Sequence, residues 1–176
     1  MVKAVFLDRD GVINKAQIIN GKPYPPKSLS QLKIISGVRN ALIALHNAGY
    51  LLIVITNQPD VSRGITSKET VDKMNGYLSK NLPLDDFLTC YHDDCDNCDC
   101  RKPKPGSILL AAKKYNIDLH QSYMIGDRWR DIEAGKSAKC MTMFIDYKYN
   151  EKKPIDFDFK ADSLHSASQL ILKRDL

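Results

Sequence analysis

No stretch of this 176-residue chain approaches the run of about 20 apolar residues that a membrane-spanning helix requires. A transmembrane helix is excluded on that ground. The opening "MVKAVFLDRDG" meets charge too early for a secretory leader, so the sequence reads as cytoplasmic and reducing. Basic residues outnumber acidic ones, 26 to 21 for a net charge of +5, but they are scattered, and the tightest cluster is "RKPKP". A stripe of basic residues interleaved with aromatics is missing, which argues against a nucleic-acid partner and leaves room for a small anionic one. There is no internal repeat and no segment long enough for a second domain. With 43% hydrophobic and 27% charged residues, the chain reads as one globular domain spanning 1–176, able to bury a core without disulfide staples.

What is present is an alternation. Short runs apolar on both faces, "VKAVFLD" (2–8), "YLLIVIT" (50–56), "FLTCY" (87–91), "SYMIGD" (122–127) and "CMTMFID" (140–146), suit buried strands of a parallel sheet. Between them, Val38, Ala41, Leu42 and Leu45 recur at helical spacing and stop at Gly49. Val71, Met74 and Leu78 repeat the pattern behind Thr66 and Glu69 in capping-box register, and Ile108, Ala111, Ala112 and Tyr115 repeat it after Pro105-Gly106. The expectation is a doubly wound α/β fold. The Pro-, Gly- and Ser-rich segment 18–33 reads as a long loop or small β-excursion, and 92–105 has no apolar periodicity. "SLHSASQLIL" (163–172) reads as a packing helix with His165 at the surface.

In open α/β sheets ligands bind beyond the carboxyl ends of the strands, so those ends deserve reading first. The first expected strand ends in "DRDG". Residues i and i+2 of an extended chain point the same way, so Asp8 and Asp10 would enter one crevice while Arg9 turns aside. The strand at 50–56 ends in "TNQP", where Thr56 offers a hydroxyl. The strand at 122–127 leads into "GDRWRD", with Asp127 and Asp131 on the same edge. Each of these alone would also suit an ordinary turn. Acids delivered by separate strands to one crevice make a hard-cation site suited to Mg²⁺.

Together, D-x-D-G, T-N-Q, a lysine before a Pro-Gly helix start and G-D-x-x-x-D, in this order, resemble the haloacid dehalogenase superfamily of phosphatases, over roughly residues 2 to 146. The resemblance implies that Asp8 is the nucleophile and forms an aspartyl-phosphate. Asp10 would be the acid and base, and Thr56, Asn57 and Lys102 would steady the phosphoryl oxygens. Mg²⁺ would be held by Asp8, Asp127 and the backbone carbonyl of Asp10, with Asp131 behind them. Where the family often has a lysine after "GD", this chain has Arg128.

"CYHDDCDNCDCRKPKPG" (90–106) holds four of the five cysteines. Cys90, His92, Cys98 and Cys100 give C-x-H-x₅-C-x-C, a set suited to closed tetrahedral zinc, with Cys95 left as a spare thiol or an exchangeable ligand. Cys140, at a strand start, reads as a small buried hydrophobe. The cysteine segment together with "RKP" resembles the zinc-containing branch of the superfamily that holds the D-glycero-D-manno-heptose 1,7-bisphosphate and histidinol-phosphate phosphatases, which lack a large cap domain. That resemblance implies a structural zinc, with Arg101 reading the substrate beside Lys102. "NQPDVSRG", with Arg63 as a further substrate contact, looks like the heptose members, whereas the short spacing from His92 to Cys98 looks like the histidinol-phosphate members. The segment 14–27, starting at Asn14, is expected to shape the substrate pocket. The expected activity is Mg²⁺-dependent hydrolysis of heptose 1,7-bisphosphate at the 7-phosphate, in carbohydrate and lipopolysaccharide-precursor metabolism. A monomer with no nucleic-acid or membrane partner is expected. The reading from another class is a non-catalytic zinc-organised binding module, which would need the cysteines but not the acids.

Overall fold

The computed structural model describes residues 1–174. In chain order the first elements are β1 (Lys3–Leu7), β2 (Gln17–Ile19), β3 (Lys22–Tyr24), α1 (Val38–Asn47), β4 (Tyr50–Asn57), α2 (Lys68–Asn81) and β5 (Asp86–Cys90). After them come α3 (Gly106–Tyr115), β6 (Tyr123–Gly126), α4 (Trp129–Ser137), β7 (Met141–Ile145), β8 (Phe159–Ala161) and α5 (Leu164–Arg174). Strands β2 and β3 form a separate antiparallel hairpin. The main sheet has six strands in the order β5-β4-β1-β6-β7-β8, parallel throughout.

The side-chain period of two divides the core into layers. Val5, Leu7, Leu52 and Val54 face one side, against Val38, Ala41, Leu42 and Leu45 of α1, Leu78 of α2, and Leu164, Ala167 and Ile171 of α5. Ala4, Phe6, Ile53 and Ile55 face the other, against Ile108 and Ala111 of α3 and Ala134 of α4. Both faces are therefore covered, which is why these strands read as unbroken apolar runs rather than as alternations.

The expected α/β architecture is the observed one, with differences of detail. The cap of α2 is Ser67, whose Oγ accepts from Thr70 N–H at 3.1 Å, one residue later than the Thr66 register expected; Thr66 N–H instead bonds the Asp60 carbonyl. β8 was not expected, because "FKA" is only three residues long and only Ala161 is buried. The segment 18–33 supplies the β2–β3 hairpin followed by a short turn at Leu29–Gln31. No helix among the described residues is long and apolar enough to cross a membrane.

The chain winds outward from β1 in both directions, first through β4 and β5, then through β6, β7 and β8. Such a reversal opens a crevice at the carboxyl ends of the central strands. Close layering holds α4 against the sheet below it: a Cβ on Gly135 in α4 would lie 2.6 Å from Met124 Cβ and 2.8 Å from Thr142 Cγ2. Gly135→Ala is accordingly expected to cost about 1–3 kcal/mol through overpacking. Urea denaturation measures it, and an unchanged midpoint would show that α4 can back away from the sheet freely.

Candidate active site

Asp8, one residue past β1, Asp127, one residue past β6, and Asp131, in the first turn of α4, bring carboxylate oxygens within 4.8 Å of one another, and all three are buried. Burial alone disfavours their charged forms. It pushes Asp8 up to about 7, the Lys102 ammonium pulling the other way, and it raises Asp127 well above the carboxylate range, with Asp8 and Asp131 adding to the rise. Asp127 Oδ2 accepts from the Tyr149 hydroxyl at 2.8 Å, while Oδ1 is buried with no protein partner. A buried acceptor left open beside two more acids is the donor set a hard divalent cation needs. The approach is tight. A Cβ on Gly11, whose φ is +96°, would sit 1.9 Å from Asp127 Oδ2, and one on Gly126 would sit 2.1 Å from Asp131 Cβ.

One cation already sits among these acids. Lys102 Nζ, itself buried, bonds Asp8 Oδ1 and Asp131 Oδ1 at 2.7 Å each and the Ile55 carbonyl at 2.6 Å, which uses all of an ammonium's donors. Burial would push Lys102 down, but Asp131 and Asp8 outweigh it and hold the ammonium above its ordinary value. Asp131 Oδ2 in turn accepts from Arg128 N–H at 3.0 Å, at the start of α4.

Lys102 comes from the irregular segment after β5, and that segment is held by sulfur. Cys90, His92, Cys98 and Cys100 converge to within 4.8 Å, Sγ to Sγ distances being 3.1 Å for Cys90–Cys100 and 3.4 Å for Cys98–Cys100. His92 Nδ1 lies 3.4 Å from Cys100 Sγ, so Nδ1 is the imidazole atom that faces the thiols. Against the effect of burial, hydrogen bonds from Cys100 and the Arg101 backbone pull Cys98 down to about 7. Three thiols and an imidazole converging this closely fit tetrahedral zinc. Cys95 lies outside the cluster and is exposed, whereas Cys140 is buried, which pushes its thiol up to about 12.

Above the acids lies a cleft of about 250 Å³. Asp8, Asp10 and Lys102 form its floor, Lys22 and Tyr24 of the hairpin one wall, and Arg63, Arg101, Arg128 and Arg130 line it further out. All four guanidiniums are held by acids: Arg63 Nε on Asp93 at 2.7 Å, Arg101 Nε and Arg130 Nη1 on Asp94 at 2.8 and 3.1 Å, and Arg128 on Glu151.

Comparison with known proteins agrees with this geometry. The chain matches the family model for haloacid dehalogenase-like hydrolases over residues 26–139. It is 39% identical over 171 residues to a D-glycero-beta-D-manno-heptose-1,7-bisphosphate 7-phosphatase of Pasteurella multocida, covering 91% of this chain and 88% of that one. It is likewise 39% identical over 143 residues to the Helicobacter pylori protein of the same name, covering 78% and 79%. The chain belongs to the haloacid dehalogenase-like hydrolases. Among solved structures, the D,D-heptose 1,7-bisphosphate phosphatase of B. bronchiseptica, complexed with magnesium and phosphate, superposes with a TM-score of 0.81 at 24% identity, over 98% of this chain and 99% of that one. That likeness bears on the fold. The family and the named relatives make this hydrolase a phosphatase.

Several expected site residues of the hydrolase stand differently from the sequence reading. Asn14 was expected to touch substrate, but it is fully buried; its Nδ2 donates to Asp10 Oδ1 at 2.9 Å and it does not line the cleft. Asn57, expected to steady phosphoryl oxygens, does line the cleft, and its amide also clamps the Lys102 backbone, donating to the carbonyl at 2.9 Å and accepting from the N–H at 3.1 Å. Thr56 is buried and accepts from Gln58 Nε2 at 2.9 Å, which leaves its own hydroxyl proton free to donate. Arg9 does not turn aside: fully buried, it forks onto Asp10 at 3.0–3.2 Å and reaches Asn75 Oδ1 at 2.9 Å. Gln58 Nε2 adds a further donor to Asp10 at 2.7 Å. Arg9, Gln58, Arg130 and Tyr149 were missed, because only tertiary contact shows what they touch.

Cys95 provides a clean test of the sulfur cluster. Elemental analysis is expected to give one zinc per chain for the unaltered protein and for Cys95→Ser, and much less for Cys100→Ser. Loss of zinc from Cys95→Ser would place the fifth thiol among the ligands.

Proposed function

We propose that the chain hydrolyses the 7-phosphate of D-glycero-beta-D-manno-heptose 1,7-bisphosphate through an aspartyl-phosphate, using Mg²⁺ at Asp8, Asp127 and the Asp10 backbone carbonyl and a structural zinc at Cys90, His92, Cys98 and Cys100. The observation that carries the hydrolytic reading is the cluster of three buried acids, of which Asp8 and Asp131 bond Lys102 and line an arginine-walled cleft. The choice of sugar rests on the relatives named above. A bound Mg²⁺ would offset the excess of buried carboxylate charge and draw electron density from the phosphoryl oxygens.

The chain's own groups divide the work. Lys102 fixes Asp8 Oδ1, and the Asp8 side chain retains 10% exposure onto the cleft, so Oδ2 is the oxygen that can attack phosphorus. As the Oδ2–P bond forms, the bond from phosphorus to the sugar oxygen breaks, and that oxygen takes a proton from the Asp10 carboxyl. Water then attacks the phosphoryl group, giving its proton to Asp10 and restoring the Asp8 carboxylate. Arg9, Asn14 and Gln58 hold the Asp10 carboxylate in place between those proton transfers. Thr56, with its hydroxyl proton uncommitted, steadies a phosphoryl oxygen, and Lys102, its protons all engaged, adds compensating positive charge beside the phosphoryl group. Arg63 and Arg101, held by Asp93 and Asp94, read the rest of the substrate. The cleft's small volume suits a small phosphorylated sugar. A monomer in a reducing cytoplasm, where the four ligand thiols stay reduced, completes the reading.

Asp8→Asn is expected to abolish phosphate release without unfolding the protein, as followed by inorganic phosphate assay and circular dichroism. Retained turnover would remove Asp8 as nucleophile. Side-by-side rates on heptose 1,7-bisphosphate and histidinol phosphate are expected to favour the heptose at least tenfold in kcat/KM, and the opposite order would reassign the substrate.

A further inference from the structure

The loop after β7 fastens itself across the carboxylate cluster by consecutive residues. Tyr149 donates to Asp127 Oδ2 at 2.8 Å, and Asn150 N–H donates to the Gly21 carbonyl at the hairpin tip, also at 2.8 Å. Glu151 accepts the Arg128 fork, with Arg128 Nε 3.0 Å from its Oε1. Lys152 pairs with Glu133 at 2.7 Å and lies 4.0 Å from the centroid of the Trp129 ring. The loop is thereby tied to the hairpin on one side and to α4 on the other. Tyr149 stands between the two anchors. A cavity of about 430 Å³, bounded by Gly11, Ile18, Ile35 and Tyr147, adjoins Tyr149, so these polar ties carry much of the loop's placement.

The consequence is an asymmetry in Asp127. Its Oδ2 is confined between the Gly11 backbone and the Tyr149 hydroxyl, while Oδ1 is buried and unpartnered. A carboxylate with one oxygen fixed has one oxygen aimed, and a ligand held from behind loses less freedom when it binds.

We propose that Tyr149 is a positioning residue for the cation: its hydroxyl takes Asp127 Oδ2 and so presents Oδ1 to the metal. This rests on the reading of Asp8 and Asp127 as the Mg²⁺ site. Nothing in the four motifs that identify the family points to Tyr149, because it lies 22 residues beyond Asp127, in a loop outside them.

The test is titration calorimetry of MgCl₂ into the zinc-loaded protein without substrate, so that it does not depend on which phosphate ester is hydrolysed. Tyr149→Phe is expected to weaken Mg²⁺ binding about tenfold or more, as loss of an outer partner of a metal ligand does. Tyr147→Phe, which changes the neighbouring ring, is expected to bind like the unaltered protein. In turnover, Tyr149→Phe is expected to raise the Mg²⁺ concentration giving half-maximal rate while kcat at saturating Mg²⁺ stays within about twofold. An unchanged Mg²⁺ affinity in Tyr149→Phe, or a fall in melting temperature with no change in affinity, would overturn the role of Tyr149 and leave the cation site standing. Failure of the unaltered protein to bind Mg²⁺ would overturn both.

Discussion

A single ammonium buried among carboxylates is the constraint around which this molecule is arranged. Lys102 meets Asp8, Asp131 and the Ile55 carbonyl, and it has no further proton to give. Removing one partner of such a buried pair costs about 3–5 kcal/mol, because the other is left as an uncompensated charge away from water. Lys102 must therefore arrive accurately, yet it comes from a segment with no apolar core of its own. Three devices supply the accuracy. The Cys-His cluster closes the segment on itself, Asn57 grips the Lys102 backbone from both sides, and Ser107 Oγ bonds the Cys100 carbonyl at 3.0 Å where α3 begins. A zinc ion held by that cluster would join metal binding and catalysis in one problem, since its contribution would be to make a loop as rigid as a strand end.

The charge balance of the floor leaves room for a second metal. Asp8 and Asp131 share one ammonium, Asp127 stands beside them, and burial has already raised Asp8 and Asp127 towards their neutral forms. A divalent cation bound there would reverse that tendency and keep Asp8 an anion, as the proposed nucleophile would have to be. Close packing sharpens the same point. Gly11 and Gly126 have no room for a side chain, so the acids cannot relax away from one another, and their repulsion stays available to draw in a cation.

Sequence periodicity made most of the fold legible, because strands buried on both faces leave long apolar runs and amphipathic helices leave theirs at three and four. It failed where the signal was short, as in β8, or where neighbouring hydroxyls compete, as at Thr66 and Ser67. At the site, Asp8 and Asp127 were legible because each sits immediately after a strand, and spacing alone puts such residues at one edge, with Asp10 and Asp131 close behind them. Asn14 and Asn57 carry contacts that motif spacing did not show. Asn14 reaches the side chain of Asp10, four residues back, while Asn57, which lines the cleft, also clamps the backbone of Lys102, 45 residues on. Arg9 is a further case. Alternation places its side chain opposite those of Asp8 and Asp10 only while the strand remains extended, and the chain turns at Gly11, where φ is +96°. Its guanidinium is thereby free to reach Asp10.

The walls of the cleft follow a different logic from its floor. Arg63, Arg101, Arg128 and Arg130 could hold a phosphate very tightly if all were free, but Asp93, Asp94 and Glu151 engage them first. Each anion that enters must share guanidinium protons already in use, so binding is moderated while the geometry is fixed in advance. An enzyme whose product is itself a phosphate gains from that moderation. Uniformly tight binding of phosphate groups would favour substrate and product as much as the transition state, and would add nothing to turnover. Asp127 Oδ1 stands apart from those engaged groups: it is a buried acceptor that no protein group among the described residues meets, and the charge that would satisfy it is a cation's rather than the product's.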